Sequence, residues 1–372
     1  MMSELSKLLD SLSERVDGAR YDAIDRRFRL SLACEPVDRP PVVVTYPYPK
    51  EVSFQPFPHR EVFDDPEKML YNELVSAFDT SIVLQQEIGD DLPFTVRANF
   101  GTVLVASMFG STVEQREDNP PWIVHQGGRT PSLEEIADTD SSDFSTGWAP
   151  RATETMRLYQ EVLSGYPELR KSVRVVLPDL QGPFDNLELI RGSDVFAELV
   201  ENPEAVEHAL ANLAAAQVNL SRYFSQWTSE PYEGFCHQHA VMLKGSVLLR
   251  NDSCVMVSPA MYREQIAPHD EKVLHELGGG GLHSCGNIGH LVDEFLRLPS
   301  IRSLDLGQPE LNDVDGIYRK ALERGVPLIR VAVTAEEIDS GSYRKRFPTG
   351  AVLLHRAVNF EEARRVVFAL RI

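Results

Sequence analysis

The chain has 372 residues, 42% of them hydrophobic, enough to bury a large core and within the length range of single α/β barrels. Its 37 Lys and Arg face 56 Asp and Glu, and the net charge of −19 repels phosphate backbones and anionic lipid, arguing against nucleic acid or a membrane as partner. No apolar run reaches the ~18 residues of a membrane span and no signal-peptide pattern opens the chain, so the cytoplasm is the expected compartment. Cys34, Cys236, Cys254 and Cys285 are too few and too scattered for a disulfide framework, so reduced thiols are expected.

Leu5, Leu8, Leu9, Leu12 and Val16 recur at spacings of three and four, which predicts an amphipathic helix within an amino-terminal helical extension, residues 1–35. Pro40-Pro41 then opens the apolar run Val42-Val43-Val44, and Asp65-Pro66 starts a helix with a cap and a first-turn proline. Ser81 to Leu84, Val173 to Leu177 and Cys254 to Val257 read as short buried strands. Asn202-Pro203 and Ser258-Pro259 open helices, and Pro268 is expected to kink the second of them. Toward the carboxyl end, Gly281 to His283, Ile301 to Leu306, Leu328 to Val333 and Val352 to Leu354 are strand-like, and Asn359 caps a last helix.

This alternation fits a (β/α)8 TIM barrel or a doubly wound sheet. No G-x-G-x-x-G follows a strand, no Walker A run occurs, and Gly278 to Gly281 precede a strand rather than follow one, which favours the barrel. The reading is one barrel over residues 36–372, with an insert at about 89–150 after the second strand; the acidic part of that insert, Glu134 to Asp143, is a solvated surface.

Working residues of parallel barrels sit at the carboxyl ends of strands. The predicted strands end in His283-Ser284-Cys285, in Asp305 and in His355-Arg356. Histidine and cysteine two apart on a strand end project to one side, and imidazole with thiolate is a ligand pair that zinc prefers. A catalytic zinc needs a third ligand, for which His355 is the first choice, with Cys254 and His239 in reserve; Asp305 either coordinates or orients a ligand. His237-Gln238-His239 alternates like a strand, and nearby Lys244 and Arg250 favour substrate contact or plain exposure there over a second metal.

The run His283-Ser284-Cys285-Gly286-Asn287, with Asp252-Ser253 leading into Ser258-Pro259 and Ile266-Ala267-Pro268, resembles the uroporphyrinogen decarboxylase-like superfamily. Cys34-Glu35-Pro36-Val37-Asp38-Arg39-Pro40-Pro41, Phe78-Asp79 and Gln181-Gly182-Pro183-Phe184 resemble further motifs of that group, in order, over residues 26–368. Its decarboxylases carry an amino-terminal arginine-rich element and a second-strand aspartate; this chain lacks the former and has Gln86 where the latter would fall. Its zinc methyltransferases, which move a methyl group from a corrinoid protein to a thiol, carry His-x-Cys and a later Cys. This chain keeps the first two as His283 and Cys285, with His355 near the place of the third.

The resemblance therefore implies a zinc-dependent methyltransferase with His283, Cys285 and His355 on the metal, Asp305 and His239 in catalytic roles, and Gln86, His237, Arg250 and Arg330 toward substrate. The implied partners are a small molecule and a corrinoid-carrying protein, and homo-oligomerisation stays open. The alternatives are a decarboxylase-like or demethylating enzyme, with Arg97, Arg250 and Arg330 as carboxylate clamps, and a non-catalytic corrinoid- or tetrapyrrole-binding barrel.

Overall fold

The apolar runs rich in Val, Ile and Leu become short parallel strands: β1 Val42–Thr45, β2 Phe94–Val96, β3 Val173–Val175, β4 Leu248–Arg250, β5 Gly280–Ser284, β6 Ile301–Leu306, β7 Leu328–Ala332 and β8 Ala351–Arg356. A computed structural model describes residues 3–76, 81–116, 118–238 and 241–371. Six of these strands form one sheet in the order β1-β8-β7-β6-β5-β4, and β2 and β3 form a second pair. The registers set the backbone of His283 beside Asp305 on one side and Arg250 on the other. Helices lie between successive strands, and among the described residues no helix is long and apolar enough to cross a membrane.

The two sheets are joined at both edges. Beyond β3, the Gly182 N–H donates to Arg250 O at 2.7 Å; ahead of β2, the Asp91 N–H donates to Val42 O at 3.2 Å. Pro40 and Pro41 have no N–H to give, and the next donors of β1 find side chains: Asp91 Oδ2 accepts from Val42 N at 2.9 Å and Asp90 Oδ2 from Val44 N at 2.7 Å. Arg39 and Arg27 neutralise Asp91, and Arg27 also pairs with Asp38, so the Asp38-Arg39-Pro40-Pro41 motif anchors the first strand.

Three sequence readings are corrected. Ser81 to Leu84 is not a strand: Ser81 caps the helix Ile82–Ile88 by accepting from Leu84 N at 3.2 Å. A short buried apolar run does not by itself distinguish strand from helix, and the cap decides it. The second strand follows at Phe94–Val96, inside the 89–150 stretch read as an insert; the helices Leu104–Met108 and Leu133–Asp138 and the hairpin Val113–Glu114/Trp122–Ile123 come after it. Cys254 to Val257 is likewise no strand but lies mostly in a 3-10 turn, Ser253–Met256, beyond the strand Leu248–Arg250.

Other readings meet their structures. The helix Glu4–Ser13 buries Leu5, Leu8, Leu9 and Leu12, and Gly18–Leu32 follows it. The helix opened by Pro259 passes through a π turn, Tyr262–Ile266, before Pro268, where the ring cannot sustain regular hydrogen bonding. Phe78-Asp79 falls outside the described residues.

Candidate metal centre

β4 and β5 end side by side, and their continuations build the centre. The Asn251 N–H donates to His283 O at 2.9 Å, carrying the strand pairing one residue past Arg250 and delivering Asp252 next to Cys285. Asp252 is fixed from behind, because Asp185, on the helix Pro183–Arg191, accepts from Asp252 N and Ser253 N, both at 2.8 Å. Burial and the charge of Asp252 push the Asp185 carboxyl up to about 8. Gly182 ahead of that helix is required by contact, since a Cβ there would meet Asn251 Oδ1 at 2.1 Å and Arg250 O at 2.7 Å. The loop after β5 is pinned by Gln308, which accepts from Gly286 N at 2.8 Å, and by Asn312, which accepts from Ile288 N at 2.9 Å.

Asp252, His283 and Cys285 thus bring one ligand atom each within 4.8 Å of one another. His283 Nδ1 lies 2.7 Å from Asp305 Oδ2, which turns Nε2 toward the other two donors: Cys285 Sγ stands 3.5 Å from it and Asp252 Oδ1 3.6 Å. Zinc bonds of about 2.0–2.3 Å in tetrahedral arrangement separate nitrogen from sulfur or oxygen ligands by roughly 3.4–3.6 Å, so the spacing fits an ion. Burial and the carboxylates of Asp252, Asp305 and Asp185 push the Cys285 thiol up to about 12, and a cation is what would let it ionise at neutral pH.

Asp305 is buried beneath His283, and burial opposes its charge. Arg330 and His283 outweigh that and hold the carboxyl well below the usual range. Arg330 reaches Asp305 from a left-handed backbone, φ 58°, at a register shift in β7 between Leu328 and Val331. Strain of this kind persists only where the surroundings over-determine it.

The other sequence-predicted residues stand elsewhere. His355 is not in the cluster: it is buried at the end of β8, its Nδ1 is 3.0 Å from Val333 O and its Nε2 3.8 Å from Glu362 Oε1. The third member of the group is Asp252, where the sequence reading expected His355. Gln86 sits on the helix Ile82–Ile88, where its amide donates to Leu12 O at 3.3 Å, facing the amino-terminal helix. His237 is buried on the hairpin Phe235–Gln238/Val241–Lys244, with Nδ1 2.8 Å from Glu230 and Nε2 3.9 Å from Asp25. Arg250 pairs with Asp179 at 3.0 Å, as does Arg97 at 2.6 Å, so these two guanidiniums are held by a shared carboxylate. Cys254 is buried and bonds Asn251 O. His239 lies outside the described residues. Reasoning from sequence missed Asp252 and Asp185 as site residues; the signal for Asp252 was its place two residues after Arg250, visible only once Leu248–Arg250 is recognised as the strand.

The fold has a solved counterpart. The chain is similar to a methyltransferase from Methanosarcina mazei, with a TM-score of 0.65 and 15% identity, over 94% of this chain and 98% of that one. No family model and no curated protein matches the chain. At that identity the likeness shows the fold, here shared along nearly the whole length of both chains.

Proposed function

We propose that this chain is a zinc-dependent methyltransferase built on a (β/α)8 barrel, and that it transfers a methyl group between a corrinoid carried by a partner protein and a thiol-type acceptor. The observation that carries the reading is the convergence of Asp252, His283 and Cys285 at adjoining strand ends, with His283 oriented by Asp305, in a chain with the fold of a methyltransferase. Three protein ligands leave one position for a reactant, the pattern of catalytic rather than structural zinc. Zinc bound there supplies the Lewis acidity that lowers the pKa of a thiol acceptor into the neutral range.

The protein groups have separable tasks. Asp305 fixes the tautomer of His283, with its proton on Nδ1 and its lone pair on Nε2, and Arg330 keeps Asp305 ionised so that it does so. Asp185 holds the Asp252 backbone, and Asp252 in turn accepts from Cys285 N at 2.7 Å, which fixes two ligands relative to each other. A single thiolate leaves the ion more electrophilic than two would.

The test combines metal content with turnover. Elemental analysis is expected to find about one zinc per chain, lost in His283→Ala and Cys285→Ala. The wild type is expected to consume methylcobalamin, followed by its absorbance, when supplied with a thiol. A protein that binds no transition metal and leaves methylcobalamin unchanged with every thiol offered overturns the reading.

A further inference from the structure

Gly307 directly follows β6, and its N–H donates to Ser284 O at 3.0 Å. A Cβ placed on it would stand 2.5 Å from Cys285 Sγ, 3.0 Å from Cys285 Cα and 3.0 Å from His283 Cε1. Ordinary contacts between such atoms begin at about 3.5 Å, so the cysteine sulfur fills the space that any side chain at 307 would need. The backbone itself does not demand glycine, because Gly307 is not among the residues with positive φ. What glycine provides here is room.

The three neighbours differ in freedom. Cys285 Cα is backbone, held by the bond from Cys285 N to Asp252 Oδ1 at 2.7 Å and by Gly286 N on Gln308. The His283 ring is held by Asp305. Only the sulfur turns on a single side-chain torsion, so a methyl group at 307 would move the sulfur first.

We propose that Gly307 is a positioning residue of the metal centre: its lack of a side chain keeps the Cys285 sulfur beside His283 Nε2 and so makes the centre selective for thiophilic ions. This rests on the metal reading above. With the sulfur displaced, Asp252 and His283 remain, a weaker set of oxygen and nitrogen donors.

Cobalt(II) is the probe, added to the full-length protein, because thiolate ligation gives a near-ultraviolet charge-transfer band that carboxylate and imidazole do not. Wild type is expected to show the band; Gly307→Ala is expected to lose it and to bind zinc about tenfold more weakly or worse, the result also expected of Cys285→Ser. Thermal unfolding without metal gives an independent reading. The drop caused by Gly307→Ala should be smaller in a Cys285→Ala background, where the sulfur is already gone. A Gly307→Ala protein that keeps the band and its zinc affinity overturns this inference alone, as does an equal drop, or failure to fold, in both backgrounds. A wild type that binds neither cobalt nor zinc removes the metal reading and this inference together.

Discussion

Asp305 and His283 are joined Oδ2 to Nδ1 at 2.7 Å, and this one contact decides which nitrogen of the ring faces Cys285 and Asp252. Replacing Asp305 by Asn keeps the shape but allows the amide to offer a donor, which stabilises the opposite tautomer. Zinc affinity in Asp305→Asn is expected to fall by about 10–100-fold, measured by competition with a chromophoric chelator. Affinity unchanged from wild type would show that the pair does not orient a ligand.

Asp252 and His355 make opposite predictions. Asp252→Ala is expected to weaken zinc binding by about tenfold or more, and His355→Ala to leave it within about twofold, in the same titration calorimetry experiment. The reverse ranking would restore His355 to the metal and take Asp252 off it.

Metal binding should release protons. The Cys285 thiol, pushed up to about 12 by burial and its carboxylate neighbours, is protonated in the metal-free protein at neutral pH and has to lose that proton to ligate. Zinc affinity is therefore expected to rise about tenfold per pH unit between pH 6 and 8. Calorimetry in two buffers of different ionisation enthalpy should count about one proton released per ion. In Cys285→Ser this release is expected to vanish.

A separate pH effect belongs to His237, whose ring sits between Glu230 and Asp25, with Arg174 on Asp25 at 3.2 Å. Burial opposes its charge, but the two carboxylates prevail and raise its pKa to about 9, against about 6.5 in an unfolded chain. A raised pKa gives a contribution to stability that is complete below pH ~6.5 and is lost as pH climbs through about 9. Urea unfolding at pH 7 and at pH 10 should differ by a term on the order of 3 kcal/mol that is absent in His237→Gln. The same loss in the variant would assign it to other groups.

The part of the centre that could be read from sequence was the part written in adjacent residues. His283 and Cys285 lie two apart at a strand end, and alternation on a strand puts both on one side whatever the rest of the chain does. Asp252 is contributed by the neighbouring strand, and its role depends on where that strand stops. The apolar run Cys254 to Val257 imitated a strand, so Asp252 was read as lying ahead of one instead of at the end of one. The placing of Gln86 on a second strand was misled in a similar way, since Ser81 as a cap turns the following residues into a helix, on which the Gln86 amide donates to Leu12 O. His355 does end its strand as read, but pairing with β1 and β7 sets it apart from the cluster on β4 and β5, and strand order is a property of the sheet that no local pattern contains.

The carboxylates of Asp90 and Asp91 bear on more than the start of the fold. A strand at the margin of a sheet exposes a row of hydrogen-bonding groups on which a foreign strand can template, the usual beginning of aggregation. At β1 the N–H groups of Val42 and Val44 are already taken by Asp91 and Asp90, and Arg39 and Arg27 keep Asp91 in place. An intruding chain would have to displace buried carboxylates before it could add to this edge. Two acidic side chains thereby give a young, partly folded chain protection against its own copies at the place where its first strand would otherwise recruit them.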